Sequence, residues 1–290
     1  MNDFTIVTDS SCDLPAGLAS ELELTVLPLS FTVDGRERLN YLDNRELPIH
    51  DYYELLRAGK PAQTSAVNMN AFVGAVEPLL TAGKDVLVPA FSSGLSNTCN
   101  AARMACEELA LKYPERRVFC VDTLCASLGE GMLLYYAVLE KRKGKSLEEV
   151  RDWLEQNKLH LCHWFTVDDL KHLKRGGRIS PATAFIGGML NFKPVMHMDD
   201  GGHLAAVGKV RGRKASLDAL VDRMEQTATE PGEQTVFISH GDTPEDAEYV
   251  ASEVKRRLGV KKVVVNDVGP VIGTHSGPGT MALFFFGTHR

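Results

Sequence analysis

The chain has 290 residues, of which 44% are hydrophobic, and its formal net charge at pH 7 is -6. This length exceeds the usual single-domain size of roughly 100–200 residues, so we expect two domains with sizeable cores. The acidic balance argues against a protein that binds nucleic acid or an anionic membrane through a basic surface.

The amino terminus and the cysteines both predict a cytoplasmic protein. The segment MNDFTIVTDSS has neither the basic region nor the long apolar stretch of a signal peptide. No apolar run reaches the roughly 18 residues of a membrane-spanning helix, so we expect no stable membrane insertion. The six cysteines form no C-x-x-C pair and lie mostly in apolar segments, which predicts reduced core thiols.

The first half repeats a short β-branched run, a polar segment and a helical pattern. The runs are FTIVTD (Phe4–Asp9), DVLVPA (Asp85–Ala90) and RVFCVD (117–122). Asp13 is the predicted N-cap of the first helix, with Pro15 in its first turn. Successive strand-helix units predict a parallel sheet.

Polar segments follow these strands, and the carboxyl ends of parallel strands meet at the edge where ligands bind. The most polar segment is FSSGLSNT (91–98), and KPAQTS (60–65) adds Thr64 and Ser65 as candidates for the same edge. The start of a helix favours an anion, so a carboxylate or phosphate is the expected ligand. Alternatively, Ser96 or Thr98 merely caps the following helix.

The second half changes in composition after the predicted helix at 146–159. KPVMHMDDGGHLAAVGKV (193–210) predicts two strands joined by a DDGG turn, and two further strands flank the helical segment TPEDAEYVASEVKRRLG. We therefore predict an α/β protein with two domains. Residues 1–157 form a parallel-sheet α/β domain, and residues 158–290 form an α+β domain with a mixed or antiparallel sheet.

Three segments of the second half carry candidate binding residues, each with an ordinary structural alternative. His275, in the predicted loop GTHSGPG, can hydrogen-bond an anion or be a plain loop histidine. Arg178, in KRGGR, can grip a carboxylate or lie on a solvated face. Phe185, Ile186 and Met189 surround two glycines, and they can leave room for an apolar guest or form ordinary core.

Motifs for the common catalytic chemistries are missing. The sequence has no G-x-S-x-G nucleophile elbow, no phosphate-binding loop of the G-x-x-x-x-G-K-[ST] type and no G-x-G-x-x-G after a strand. HLCH (160–163) crowds two histidines and a cysteine but lacks a fourth ligand, so we expect no metal site. Two rivals to a binding protein remain, an acyl hydrolase using Ser96 and His275, and a DNA-binding regulator using KVRGRK (209–214).

Taken together, several segments resemble the DegV family of bacterial two-domain proteins that bind long-chain fatty acids. The segments are IVTDSSCDLP, the TS pair at Thr64, SSGLSNT, VDDLKHLKRGGRIS, NFKPVMHMDDGGHL, GKVRGRK and GPVIGTHSGPG. The resemblance implies that Thr64 and Ser96 hold the fatty-acid carboxylate, together with His275 and the backbone of Asn97. It also implies that the acyl tail enters an apolar tunnel between the domains.

The resemblance further implies a protein without catalytic residues or a cofactor. Some family members present the fatty acid to a separate ATP-using kinase subunit, and transient membrane contact is compatible with that role. Two departures from the family pattern affect the expected head-group geometry. Ala66-Val67 replaces a Gln-Pro pair, and Asn97 replaces a glycine, so that its side chain is expected to crowd or supplement the site.

Overall fold

The computed structural model describes residues 4–179 and 191–290, and its first half is built on a parallel sheet of order β2-β1-β6-β7. These strands are β1 (Phe4–Asp9), β2 (Thr25–Leu27), β6 (Asp85–Ala90) and β7 (Val118–Asp122). The helices of this half are α1 (Ala16–Glu21), α2 (Ile49–Arg57), α3 (Met69–Thr81), α4 (Thr98–Lys112), α5 (Leu128–Arg142) and α6 (Leu147–Asn157). The predicted parallel sheet is confirmed.

A small antiparallel sheet of order β4-β3-β5 was not predicted. Its strands are β3 (Ser30–Val33), β4 (Arg36–Leu39) and β5 (Ala62–Ser65). Thr64 and Ser65 therefore end a strand of a separate sheet, where Thr64 pairs with Phe31. The sequence of β5, AQTS, has no apolar alternation, which explains why it looked like a polar connection.

The second half contains a six-stranded sheet of order β10-β9-β8-β13-β11-β12. Its strands are β8 (Leu161–Thr166), β9 (Phe192–Met198), β10 (Leu204–Arg211), β11 (Thr235–His240), β12 (Lys262–Asp267) and β13 (Met281–Phe286). Its helices are α7 (Lys171–Arg175), α8 (Arg213–Thr227), α9 (Pro244–Leu258) and α10 (Pro270–Ser276). Only the β11–β12 pair is parallel among these pairings, so the predicted mixed sheet is confirmed.

The two faces of this sheet bury different partners, because successive side chains of a strand point to opposite faces. Cys162 and Trp164 of β8 join the core formed with α8 and α9. Phe165 faces the other way, into a core shared with Phe284 and with α5. Helix α5 also packs beneath the parallel sheet, so it connects the two halves through one continuous core. The domain boundary at 157/158 remains a prediction.

Two local predictions were wrong. Asp13 does not cap α1, whose N-cap is Pro15; it has a left-handed backbone with a φ of 49° and is only 3% exposed. Burial of its carboxyl against Ser127 replaces the expected capping contact. The segment from Pro270 to Ser276 is the short helix α10 rather than a loop, because Pro270 stands at its first position, where proline is favoured.

Gly94 connects the segment FSSGLSNT to the turn between β9 and β10. The Ser92 hydroxyl donates to the carbonyl of Gly202 over 2.9 Å. A Cβ at Gly94 would lie 2.6 Å from the Gly202 oxygen and 2.7 Å from the Gly201 oxygen. The loop after β6 and the turn between β9 and β10 therefore come so close at Gly94 that only glycine fits.

We expect Gly94→Ala to lower the free energy of unfolding by roughly 1–3 kcal/mol, because the clash is with backbone that cannot rotate away. Gly74→Ala is the control, since it lies inside α3 with nothing within 4 Å of the added carbon. That control should be neutral or stabilise by about 0.5–1 kcal/mol. Urea denaturation measures both, and equal stability of the two variants would contradict the close contact.

Candidate ligand-binding site

A cavity of about 250 Å³ lies between the loops of the first half and the inner face of the six-stranded sheet. Its wall is mainly apolar, and the described apolar side chains that line it include Phe91, Leu95, Phe165, Met198, Leu204, Val271, Ile272 and Phe284. The polar residues on this wall include two hydrogen-bonded groups. Such a cavity suits an apolar ligand that carries a small polar group.

Thr64 and His275 form the first polar group and come from opposite halves of the chain. The Thr64 hydroxyl lies 2.9 Å from Nε2 of His275, which is near the end of α10. Burial, followed by the nearby charges of Arg178 and Arg175, lowers the pKa of His275 to about 4. The imidazole is therefore neutral at pH 7 and carries one N–H.

The other ring nitrogen of His275, Nδ1, is buried and has no hydrogen-bond partner. It faces Gly176, where an added Cβ would lie only 2.2 Å away. The backbone of the KRGGR segment thus packs directly on the imidazole ring. This contact, together with the bond to Thr64, fixes the orientation of His275.

Ser96 lies on the same cavity wall, at the start of α4. Its hydroxyl lies 2.9 Å from that of Thr98 and accepts from the Thr98 amide over 3.2 Å. Asn97 is the N-cap of α4 but makes no capping bond with its side chain, which is exposed. Ser96 therefore holds the first turn of the helix and borders the cavity at once.

Arg178 joins the loops on either side of this group. Its Nε donates to the carbonyl of Leu95 over 3.2 Å, and its guanidinium also donates to the carbonyl of Gly176. The side chain is half-buried and lines the cavity, so its positive charge lies at the cavity wall. A negative ligand group is favoured there by this charge.

The structure thus brings together most of the residues that the sequence singled out. The predicted residues that line the cavity are Thr64, Ser65, Ser96, Asn97, Arg178 and His275. Phe185, Ile186 and Met189 lie outside the described residues. The apolar wall formed by β8 and β13 was missed, although the nearly continuous apolar runs LCHWFT and MALFFF were available to indicate strands that are buried on both faces.

The geometry does not assemble the triad that a serine hydrolase needs. The hydroxyl of Ser96 pairs with Thr98, and the imidazole of His275 pairs with Thr64. Across residues 4–179 and 191–290, no carboxylate is hydrogen-bonded to His275. Among the described residues, Ser96 therefore has no histidine beside it to act as a base, and His275 has no carboxylate partner.

The other two alternatives also meet specific obstacles. Cys162 and His163 of HLCH project to opposite faces of β8, one against α8 and the other against Phe284. They cannot share a metal ion in this conformation. In KVRGRK, Arg213 is paired with Asp246 and Asp168, and Lys214 is paired with Asp218. The positive charge available for nucleic acid is reduced accordingly.

The one group in the described part of the chain with spacing suited to a metal is His50, Glu54 and Asp242. These residues are at the surface, and Arg57 forms ion pairs with Glu54 and Asp242. The guanidinium already supplies the positive charge that a cation would bring. This cluster joins α2 to the loop after β11.

The second polar group on the cavity wall contains Ser127 and Ser239, behind which lies Asp13. Sequence reasoning missed Ser127 and Ser239 as cavity residues and missed Asp13 as their buried neighbour. Burial is the main cause that raises the pKa of Asp13 to about 8, with smaller contributions from Asp267 and Asp9. The carboxyl is therefore mostly protonated at pH 7.

Comparisons with known proteins agree with this architecture. A family model described as uncharacterised protein, DegV family, matches residues 3–288. A DegV domain-containing protein of Clostridium perfringens is 44% identical over 287 residues, which cover 99% of this chain and 98% of that protein. The chain belongs to the DegV family.

Solved structures of the family share the fold. A Thermus thermophilus DegV family protein, described for fatty-acid binding, is 31% identical with a TM-score of 0.87, and the match covers 98% of this chain and 99% of that one. A DegV lipid-binding protein from Thermotoga maritima is 26% identical with a TM-score of 0.87, covering 99% of both chains. Within the described ranges, no helix combines the length and apolarity needed to cross a bilayer.

We expect Gly176→Ala to weaken ligand binding as strongly as His275→Ala, because the new methyl group must displace the imidazole ring. Gly17→Ala in α1 is the control, since nothing lies within 4 Å of its added carbon. Titration with hexadecanoic acid, with circular dichroism to confirm folding, measures the effect. Binding by Gly176→Ala at the affinity of the control would show that the position of His275 is unimportant.

Asp13 generates a pH-dependent prediction. Its raised pKa means that the folded protein retains a proton that the unfolded chain loses between about pH 4 and pH 8, so stability falls as pH rises through this window. Asp13→Asn removes this loss, which amounts to at most about 1.4 kcal/mol per pH unit. Urea denaturation at pH 5.5 and 8 should show a smaller decrease for the variant. An identical decrease in both proteins would contradict a protonated Asp13.

Proposed function

We propose that this protein binds a long-chain fatty acid in the cavity, with the carboxylate at Thr64, Ser96 and His275 and the acyl chain along the apolar wall. The observation that carries the proposal is a mainly apolar cavity whose wall includes the hydrogen-bonded pair of Thr64 and neutral His275 and also the hydroxyl of Ser96. The fatty-acid-binding and lipid-binding relatives from Thermus thermophilus and Thermotoga maritima support it.

The head group is held by hydrogen bonds rather than by a buried ion pair. The hydroxyls of Thr64 and Ser96 can turn from their present partners to donate to a carboxylate, and His275 offers its single N–H. Arg178 contributes a positive field from the edge. Charge-assisted hydrogen bonds of this kind contribute about 1.5–3 kcal/mol each.

The acyl chain supplies most of the affinity. Each buried methylene contributes about 0.8 kcal/mol, so roughly twelve of them give on the order of 10 kcal/mol before the cost of association. In this proposal the domain of residues 1–157 supplies the hydroxyls, and the domain of residues 158–290 supplies His275 and much of the apolar wall. Ser65 and Asn97 line the cavity and are exposed.

The proposal extends to a non-catalytic role in the cytoplasm. The protein presents its fatty acid to a separate ATP-using kinase subunit, which phosphorylates the carboxylate, while this chain supplies neither a catalytic residue nor a cofactor. The support is the family membership and the exposure of Ser65 and Asn97, which line the cavity and are accessible to a partner. Transient membrane contact would serve loading of the fatty acid.

Removal of one hydroxyl should weaken binding without unfolding the chain. We expect Thr64→Val and Ser96→Ala each to bind hexadecanoic acid about 10- to 100-fold more weakly, the equivalent of one charge-assisted hydrogen bond. Ser93→Ala is the matched control, since Ser93 lies in the same loop with an exposed side chain. Calorimetric titration of protein from which lipid has been extracted provides the affinities.

Unchanged affinity in both hydroxyl variants would place the head group elsewhere. Absence of any binding by the parent protein, together with absence of fatty acid in its solvent extract by mass spectrometry, would overturn fatty-acid binding itself. Turnover of an activated acyl ester that disappears in Ser96→Ala would instead favour the hydrolase.

A further inference from the structure

A pair of serine hydroxyls lies on the cavity wall apart from the carboxylate site. Ser127, at the start of α5, and Ser239, on β11, come from different halves of the chain, and both are nearly fully buried. Their Oγ atoms are 3.0 Å apart, and Oγ of Ser127 lies 2.6 Å from Oδ2 of Asp13. Asp13, Ser127 and Ser239 therefore form a hydrogen-bonded chain that ends at the cavity.

Ser239 is a polar residue on a mainly apolar face of the six-stranded sheet. It pairs with Ala282 of β13 and with Asn266 of β12, and nearby positions of the same face are occupied by Phe237, Phe284 and Phe165. A hydroxyl buried among aromatic rings costs free energy unless it is hydrogen-bonded. Ser127 is the recorded partner of this hydroxyl among the described residues, and Ser239 accepts in that contact, so its own proton is available for a further bond.

Ser127 also bears a structural cost. Its backbone has a φ of 53° and a ψ of -147°, a conformation that residues other than glycine rarely adopt. The contacts to Asp13 and Ser239 hold the hydroxyl in position despite this strain. The buried hydroxyl of Ser239 and the strained backbone of Ser127 are both unfavourable, and both belong to this pair of serines.

The hydrogen bonds of the chain leave one donor free. Oγ of Ser127 is the donor in both contacts, to Oδ2 of Asp13 and to Oγ of Ser239, so neither contact uses the hydroxyl proton of Ser239. The second carboxyl oxygen of Asp13 faces Gly269, where an added Cβ would be only 2.5 Å away, so there is little room for a further group. The spare proton therefore falls to Ser239, which borders the cavity.

We propose that Ser127 and Ser239 form a second polar subsite, which selects acyl chains that carry an oxygen atom within the chain, as a hydroxyl, keto or epoxide group. This inference rests on the proposed fatty-acid binding, and it adds the class of acyl chain. The in-chain oxygen accepts the spare hydrogen bond of Ser239, and a hydroxyl substituent can also donate to a serine oxygen. An unsubstituted chain leaves this donor without a partner.

Geometry makes the selection specific for position. The protein fixes the positions of the carboxylate site and of the serine pair. When the carboxylate is bound, only an oxygen at one distance along the acyl chain reaches the serines. A site built to hydrogen-bond a ligand oxygen discriminates against the analogue that lacks it, because its own polar groups then lose their partner. We expect one positional isomer to be favoured and its neighbours to bind less well.

The test uses octadecanoic acid and a series of hydroxyoctadecanoic acids that differ in the position of the hydroxyl group. The measured quantity is the affinity of each isomer divided by the affinity of octadecanoic acid. For one isomer, this ratio should be about 10-fold higher for the parent protein than for Ser239→Ala. Ser239→Cys retains the size of the side chain but donates only weakly, so it should also lose the preference. Competition titrations on delipidated full-length protein provide the ratios.

Ser276→Ala is the matched control. Ser276 also lines the cavity, and its hydroxyl is buried without a partner, but it is not part of the chain that begins at Asp13. It should retain the parent's preference. Loss of the preference in Ser276→Ala with retention in Ser239→Ala would overturn the assignment.

Two further outcomes separate this inference from the proposed function. Tight binding of octadecanoic acid without a preference for any isomer would overturn the serine subsite and leave fatty-acid binding intact. Failure of the parent protein to bind octadecanoic acid or any of its hydroxy derivatives would overturn both.

Discussion

The hydrogen bond between Thr64 and His275 is the contact on which the rest of the site depends. It joins β5 of the small antiparallel sheet to α10 of the second half over 2.9 Å. Burial keeps the imidazole neutral, so the two groups can offer hydrogen bonds without the cost of a buried unpaired charge. Gly176 packs against the remaining ring nitrogen and leaves the ring no second orientation.

The six-stranded sheet supports this arrangement because its two faces pack against different partners. One face is closed by α8 and α9 and contributes stability. The other face packs against α5 and lines the cavity, so the side chains of one sheet contribute to both the core and the site. A continuous core through α5 means that both halves must fold before the cavity exists, and binding is therefore linked to the integrity of the whole chain.

The sequence predicted what depends on local patterns. The strand-helix alternation, the β9–β10 hairpin and the polar residues Thr64, Ser96 and His275 could all be recognised in order along the chain. Residues with roles set by distant contacts could not be. Asp13 looked like a helix cap until Ser127 appeared beside it, and AQTS lacks strand periodicity because its neighbour Phe31 provides the apolar contact. Ser239 is equally undetectable, since only strand pairing shows the aromatic face on which it lies.

The most direct test of the account is a crystal structure of the protein with bound hexadecanoic acid. The account predicts a carboxylate within hydrogen-bond distance of the Thr64 and Ser96 hydroxyls and an acyl chain in contact with Phe165 and Phe284. A carboxylate outside this group, or an acyl chain outside the cavity, would contradict it.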